Sequence, residues 1–485
     1  MKTRFASISL ALMTLMLSGC MVGPKYAKPT TPLAPAFKEQ SPGTSQSDSE
    51  WKTATPSDGV IRSNWWEIFG DPQLNALEEQ VTSANQNLKS AEARLREARA
   101  MIRFNRASLF PTISTAPSVS NERFSANQPY FPSSLANNGS GDFNLPFDLS
   151  YEVDLWGRVR RTVNASREET QATAADLQTA SLSLHAELAF DYFELRSADA
   201  QKQLLDDTVK AYTDAVVLTQ NRFEGGAAPK SDVAQAQTQL DAAQVQDTDV
   251  TVARAQFEHA IATLIGQPPA KFTLSAAPQT KVEIPSIPVG VPSTLLERRP
   301  DIAAGERRVA EANEQIGIAR AAFFPTLMIG ASAGFQGNTV TNWLNWPSRM
   351  WGVGPQLSET LFDAGRRRAT SEATQANFDA TVATYRQTAL TAFQEVEDNL
   401  ATLRILESEA EQQHRATASA EESLQLFTNR YQGGVDNYLQ VITAQTIALA
   451  NERNDIDIQR RRMDASVLLV KAVGGGWKVS QLPKL

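Results

Sequence analysis

The residues from which this 485-residue chain could build metal or nucleophilic chemistry are three histidines, His185, His259 and His414, and one cysteine, Cys20. A zinc site needs three or four nitrogen, sulfur or carboxylate ligands at recurring spacings, and a hydrolytic zinc helix reads H-E-x-x-H. No two of these histidines have that spacing, and a single cysteine permits neither a thiolate cluster nor an intramolecular disulfide. His185 falls in a long helical segment, where packing or an interhelical polar contact is its expected role. Gly474, Gly475 and Gly476 lack the Lys-Ser/Thr of a phosphate-binding loop and follow a helical stretch instead of preceding one, so they read as a helix stop. The many Asp and Glu residues could supply a carboxylate pair, but nothing in the sequence gathers one into a pocket. The expectation is a protein that is not an enzyme, holding no metal and no bound cofactor.

Cys20 has a different use. Lys2 and Arg4 form a basic start, residues 5–17 are apolar, and Leu17-Ser18-Gly19-Cys20 follows. The apolar stretch is too short to cross a bilayer as a helix and reads as a cleaved export signal. The sequence around Cys20 resembles a lipobox, so residues 1–19 are expected to be removed and Cys20 to carry diacylglycerol and an acyl chain such as palmitate. Met21, not an acidic residue, comes next, which in the sorting pattern of such lipoproteins fits release to the outer membrane. Residues 24–60 are rich in Pro, Ser and Thr and read as an extended tether. The net charge of −8 becomes more acidic once Lys2 and Arg4 are lost, which disfavours a nucleic-acid partner.

The elements that carry the rest of the chain come in two copies. NRFEGG at 221–226 and NRYQGG at 429–434 stand 208 residues apart, and at that offset Arg158 pairs with Arg366, Glu187 with Glu395, Leu195 with Leu403 and Gly266 with Gly474. Upstream the offset is 214: Arg94 pairs with Arg308, Arg106 with Arg320, and Phe110-Pro111 with Phe324-Pro325. A repeat of this length implies one structure made of two similar halves, not a short-period solenoid. From Arg158 to Arg222, and again from Arg366 to Arg430, there is neither proline nor glycine. Leu177, Leu184, Leu188 and Leu195 form an apolar stripe on the first segment, and Ala389, Val396 and Leu403 on the second. Each segment, if unbroken, makes a rod of roughly 100 Å. Shorter helical segments at 72–109, 231–265, 300–323 and 437–473 are expected to stack in pairs alongside the rods. Gly225-Gly226 and Gly433-Gly434 end the long helices as hairpin tips. Ser231 is placed to cap the next helix, and Asn437 with Gln440 has capping-box spacing.

At the other end the period changes to two. Phe143, Leu145, Phe147, Leu149, Tyr151, Val153 and Leu155 alternate with small or polar residues, and Trp351, Val353, Pro355 and Leu357 do so more weakly. Strands are also expected at 113–123 and 327–335, with loops at 127–141 and 336–348, although Pro117, Pro146 and Pro355 are awkward within a sheet. Four strands of this length suit a tilted crossing of an outer membrane. They would leave two open edges, which lipid does not tolerate, so copies must join to close a cylinder.

These features together resemble the TolC-like outer membrane efflux proteins, in the lipid-anchored branch found in multidrug pumps. The matching stretches are LSGCMVGPKY at 17–26, WWEIFGDPQLNALEEQ from Trp65, YEVDLWGRVRR from Tyr151, LLERRPDIAAGERRV from Leu295, IARAAFFPT from Ile318, LFDAGRRR from Leu361 and NRYQGGVDNYLQVITAQ from Asn429. The resemblance implies a mixed α/β membrane protein. Its trimer would make a 12-stranded β-barrel from four strands per protomer, continued by a long periplasmic α-helical coiled-coil barrel. It implies a signal peptide at 1–19, a lipidated tether and strap at 20–70, a first repeat at 71–265, an equatorial connector at 266–299, a second repeat at 300–474 and a tail at 475–485. It also implies a homotrimer that meets a periplasmic adaptor protein and an inner-membrane, proton-driven RND-type pump at the helix tips, and that sits in outer-membrane lipid. Barrel would pass into helix at Phe110, Pro111, Trp156, Gly157, Phe324, Pro325, Phe362 and Gly365.

The family's closed entrance is lined by tip acids. Asp232 holds the first such position, while Gln440 and Thr443 replace the acids of the second repeat, and Asp436 takes a position that is basic in relatives. Tyr431 and Asp232 are the expected tip and gate residues, with Asp436 nearby. A ring of acids around a narrow bore would favour cations, whereas Asp232 alone would also suit the positive end of its helix. The expected function is passive conduction of drugs or toxic small molecules out of the cell. A metal-ion or polypeptide duct, and a non-conducting coiled-coil lipoprotein scaffold, are the alternatives.

Overall fold

The structure is a computed structural model that describes residues 21–31, 34–39, 64–123, 125, 127, 129, 139–277, 284–285, 287, 289–290 and 292–483. The export signal, Cys20 and most of the tether expected from the sequence lie outside the described residues, as does much of the 127–141 loop. The helices are α1 (Pro72–Ala84), α2 (Gln86–Ala107), α3 (Arg158–Glu224), α4 (Lys230–Leu264), α5 (Pro292–Arg298), α6 (Pro300–Ala321), α7 (Arg366–Gln432) and α8 (Tyr438–Ala472). The strands are β1 (Thr112–Thr115), β2 (Ser118–Glu122), β3 (Ser140–Val153), β4 (Thr326–Gly337) and β5 (Arg349–Ser358).

The duplication read from the sequence is present in three dimensions. α3 and α7 are each 67 residues long, α4 and α8 each 35, and α2 and α6 each 22. Each rod starts after a glycine in the left-handed region, Gly157 (φ 80°) and Gly365 (φ 88°). Aspartates just upstream accept hydrogen bonds from the first free amides. Asp154 takes Val159 N and Arg160 N, and Asp363 takes Arg367 N. These bonds satisfy donors that a helix start would otherwise leave open. α3 and α4 form one hairpin and α7 and α8 the other. α3 also lies along α6 and α8, α2 along α3, and α6 along α7. Towards the sheet the side-by-side order is therefore α2, α3, α6, α7.

The first short helical segment does not run unbroken over 72–109. It is interrupted at Asn85, whose side chain accepts from Leu88 N and donates to the Leu264 carbonyl at 2.8 Å. Arg299, its counterpart at the 214 offset, separates α5 from α6 and donates to the Ala472 carbonyl at 3.1 Å. At both places a short helix of one hairpin ends against the break. A Cβ on Gly266 (φ 70°) would come within 2.6 Å of the Ala84 carbonyl oxygen, and one on Gly474 (φ 92°) within 2.1 Å of the Arg298 carbonyl oxygen. Neither glycine can gain a side chain without moving backbone. Around this level Trp65, Trp66, Leu74, Leu77, Leu188, Leu195, Ile261 and Val467 form the largest apolar core.

The sheet is one layer, ordered β1/β2, β3, β4, β5, with every pairing antiparallel. The strand expected at 113–123 is broken at Ala116-Pro117 into β1 and β2, since proline has no N–H to give the ladder. Leu155 falls beyond the end of β3, and Gly141, Gln336 and Gly337 belong to strands, not loops. Pro146 is retained inside β3, opposite Gly334, where there is no side chain to crowd it. Pro355 sits in the outermost strand, β5.

Cross-strand partners share a face, and the register sorts most of the side chains. Phe143, Leu145, Phe147, Leu149, Tyr151 and Val153 share one face with Ile113, Val119, Leu327, Ile329, Ala331, Ala333, Phe335, Trp351, Val353 and Leu357. The opposite face carries Ser114, Ser120, Asp142, Asn144, Asp148, Ser150, Glu152, Ser332, Gln336 and Gln356.

The described part of the tether runs from this sheet toward the core. Val22 N donates to the Trp156 carbonyl, Tyr26 OH to Glu306, and Arg386 to the Thr30 carbonyl. Phe37 is buried against Leu295, Val396 and Leu469, and Arg404 holds Glu39 at 2.6 Å. Because Gly474 is fixed by both its φ and the Arg298 carbonyl, Gly474→Ala is expected to cost about 1–3 kcal/mol. It should lower the temperature at which helical circular dichroism is lost, whereas Gly352→Ala, in open space and without a positive φ, should not.

Candidate functional site at the helix tips

Both hairpins turn in the same way. Gly226 (φ 73°) and Gly434 (φ 74°) are left-handed, while Gly225 and Gly433 keep the right-handed helical conformation. Ala227 N reaches back to the Arg222 carbonyl at 2.7 Å and Gly226 N to the Phe223 carbonyl at 2.9 Å. Val435 N to Arg430 and Gly434 N to Tyr431 repeat this pair of bonds. It is the two-bond glycine termination of a helix, and only its second residue requires glycine.

The expected caps at the next helix starts do not form. Pro229 holds the cap position before α4, so Ser231 lies already inside the helix. Asn437 does stand at the cap of α8, but its side chain makes no capping bond, and Gln440 only donates its backbone N–H to the Asn437 carbonyl.

The two tips differ in their charges. In the second, Arg430 grips Asp436 with bonds of 2.5 and 3.2 Å, and the hydrogen bond holds that carboxyl below its usual range. At the 208 offset Arg430 corresponds to Arg222, but Asp436 corresponds to Ala228. Arg222 therefore lacks the acid that holds Arg430 and crosses to the other hairpin. Its guanidinium lies 4.6 Å over the Tyr431 ring and donates to the carbonyls of Tyr431 (3.0 Å) and Gln432 (3.1 Å). A cation at these last carbonyls also meets the negative end of α7. The cation–π contact adds about 0.5–2 kcal/mol. Arg222 was not among the residues singled out from sequence. The signal for it was the Asp-to-Ala difference between the repeats.

Tyr431 is 3% exposed and packs on Tyr438, ring centroids 5.1 Å apart, against Ala236 and Val441. No hydrogen bond joins it to Asp232. Burial first, and the Asp232 carboxylate second, push its phenol above the ordinary value. Asp232 is half-buried in the first turn of α4. Gln440 and Thr443 are exposed on α8, Thr443 Oγ1 donating to the Leu439 carbonyl. The structure thus brings Tyr431 and Asp232 together with Arg222, ties Asp436 to Arg430, and leaves Gln440 and Thr443 on open surface.

At the sheet end, Trp156 Nε1 donates to the Pro325 carbonyl at 2.8 Å and its ring stacks on Phe324 at 4.6 Å. Met21 packs on Gly157, where a Cβ would come within 2.8 Å of it. Phe110 and Phe362 are not brought together. They stand 63% and 87% exposed at opposite margins of the chain, with Pro111 and Gly365 beside them, also exposed. His185 is buried, stacked on Trp66 with its Nδ1 2.6 Å from Glu78. Among the described residues no group of His, Cys, Asp and Glu is placed to hold a metal ion, and no helix is long and apolar enough to cross a membrane.

The family model of the outer membrane efflux proteins matches residues 77–267 and 291–475, and the chain belongs to that family. It is 30% identical to the solvent efflux pump outer membrane protein SrpC of Pseudomonas putida, over 96% of this chain and 97% of the relative. It is likewise 30% identical to the outer membrane protein OprJ of Pseudomonas aeruginosa, over 97% of this chain and 96% of that one. The solved outer-membrane channel OprN superposes with a TM-score of 0.84 at 30% identity, covering 94% of this chain and all of OprN. The protein is an outer membrane channel component of a tripartite efflux pump, its helices forming the periplasmic tunnel.

If Arg222 ties the two hairpins together, Arg222→Ala should raise amide hydrogen exchange across residues 429–436 several-fold. Arg222→Lys should restore only part of the protection, because an ammonium has no planar face to lay over the Tyr431 ring. Unchanged exchange in Arg222→Ala would show that the tip is held by other contacts.

Proposed function

We propose that three copies of this chain close their sheets into a twelve-stranded barrel, and that drugs or other toxic small molecules pass through it out of the cell. One observation carries the reading: a single-layer sheet with one apolar face, one polar face and two open edges, standing on a pair of helical hairpins. Curled with the apolar face outward, such a sheet meets lipid and encloses water, and its edges are satisfied only by neighbours. The passage performs no bond chemistry. Its energy comes from a proton-driven inner-membrane pump of the RND type, reached through a periplasmic adaptor that meets the helix tips. The naming of relatives for solvent and antibiotic efflux supports small molecules as the cargo.

Two features refine the proposal. Met21 is seated on Gly157, where α3 leaves the sheet, which supports acylation of the neighbouring Cys20 as a second membrane anchor. At the far end, Arg222 joins the two hairpins of one chain at Tyr431, beside Asp232, which supports a closed entrance there, while Asp436 is engaged by Arg430 and contributes no free charge to the bore.

Purified protein is expected to conduct in planar bilayers, and deletion of its gene to raise susceptibility to dyes, antibiotics or detergents, restored by the wild-type chain. Complexes with the pump that neither conduct nor affect efflux would instead identify a scaffold. Asp232→Ala is expected to weaken block by divalent cations applied from the periplasmic side. If Asp232 serves only the dipole of α4, block is unchanged and the tip loosens instead.

A further inference from the structure

Every carboxylate of the described strands falls on the polar face of the sheet: Glu122 stands opposite Ser140, Asp142 opposite Ser120, Asp148 opposite Ser332 and Glu152 opposite Met328. The apolar face has one charged exception. Arg349, the first residue of β5, stands opposite Phe335, and Trp351, Val353 and Leu357 follow it on the same side. An arginine on the outward face of a membrane barrel is costly at the midplane and nearly free at the interface, so its height decides what it meets. β5 is ten residues long, and its last residue, Ser358, lies at the helix end of the sheet, opposite Thr326. At about 3.4 Å per residue and a tilt of about 40°, such a strand rises about 25 Å, the height of the apolar band on an outer-membrane barrel. Arg349 therefore stands at the outer margin of that band, at the end away from the periplasmic helices.

No acid answers it there. Residues 336–348, which lead into β5, contain neither Asp nor Glu. Asp142 is turned to the other face, where it accepts from Gln336 at 2.9 Å. Arg349 has no ion-pair partner among the described residues, and Trp346 supports it instead. The guanidinium lies 4.2 Å over the Trp346 ring, and Nη1 donates to the Trp346 carbonyl at 2.9 Å. Nε and Nη2, the side-on fork of the group, have no acceptor among the described residues. The loop that presents Trp346 is tied down at both ends. Ser348 Oγ donates to the Asn342 carbonyl at 2.6 Å, and Trp343 Nε1 to the Phe335 carbonyl at 3.3 Å. Arg349 is exposed, and Trp346 and Trp351 are 74% and 77% exposed.

We propose that Arg349 and Trp346 form a binding site for the phosphate of an anionic lipid in the outer leaflet. The free fork of Arg349 takes two phosphate oxygens in parallel hydrogen bonds, a geometry that guanidinium fits and ammonium does not. The Trp346 ring backs the guanidinium from the other side. The acyl chains of the same lipid lie along Trp351 and Val353, which share the face of Arg349. The lipid thus supplies the anion that the chain withholds, and the single charge of the apolar face is neutralised at headgroup level. The inference rests on the reading that this face meets lipid, and adds the headgroup that the face selects.

Full-length protein in phosphatidylcholine vesicles tests it, with a small, equal fraction of either phosphatidylglycerol or phosphatidylcholine brominated on its acyl chains. Bromine quenches tryptophan fluorescence on contact. Brominated phosphatidylglycerol should quench about two- to fivefold more than brominated phosphatidylcholine, as one arginine beside an anionic headgroup predicts. Arg349→Gln should remove that excess and keep the quenching by phosphatidylcholine, which shows that the variant is inserted. Arg349→Lys, which keeps the charge and loses the fork, should retain only part of the excess. Inorganic phosphate added to the buffer should leave the excess intact. No excess in the parent, or an excess undiminished in either variant, overturns the site while quenching by both lipids leaves the lipid-facing sheet standing. An excess abolished by inorganic phosphate marks a site for free anions and also overturns the lipid assignment. No quenching by either lipid overturns both the site and the reading beneath it.

Discussion

A strand at the margin of a sheet turns its N–H and C=O groups outward, and in hydrocarbon nothing is there to bond them, at a cost of several kcal/mol for each group. β1/β2 on one side and β5 on the other are such margins, and the apolar face formed by Leu149, Ala331, Val353 and their neighbours belongs in that hydrocarbon. The chain cannot satisfy these edges by folding alone. In the proposed assembly, copies satisfy them for one another. The rods α3 and α7 leave the sheet in parallel, and the tether runs down beside α6 and α7 from Gly157 toward the core. In the proposed assembly, the same margins are continued below the sheet by α2 and α7.

Duplication gives this chain a way to make one design serve two purposes. Where the halves meet inside a chain, the contacts are specific and charged: Arg161 with Glu314, Glu168 with Arg307, Trp156 on Phe324. The counterpart positions at the margins carry alanines, and Phe110 stands exposed where Phe324 is stacked. The tips show the same division. Arg430 stays with Asp436 in its own turn, while Arg222, facing Ala228 where that acid would be, serves the opposite hairpin. The residues that differ between repeats are thus the ones that set which surfaces are internal and which face outward. The residues that agree, such as Gly266 with Gly474, fix the shared frame.

Much of this frame was legible because it is local or periodic. The two glycine pairs, the rods free of glycine and proline, and the two-residue alternation of β3 each follow from backbone preferences over a few residues, and the offsets of 208 and 214 recovered the repeat. The break at Asn85 was not legible. No proline or glycine marks it, and it exists because the Asn85 amide reaches the Leu264 carbonyl, 179 residues away. The caps assigned to Ser231 and Asn437 failed for a related reason. Spacing permits such bonds, but the turn left by Gly226 and Gly434 decides which residue sits at the cap and where its side chain points. For the candidate site, Tyr431 and Asp232 were singled out, yet what joins the hairpins is Arg222. Its role is visible only when the two motifs are compared residue by residue.

The central claim is that one face of the sheet meets lipid and the other meets water. Ser332 and Ala331 are adjacent in β4 and point to opposite faces, so cysteine at each position, in intact outer membranes, reports on the two sides directly. The account expects Ser332→Cys to react with a charged, membrane-impermeant thiol reagent and Ala331→Cys to resist it until detergent is added. Equal labelling of both in the membrane, or the reverse order, would contradict it.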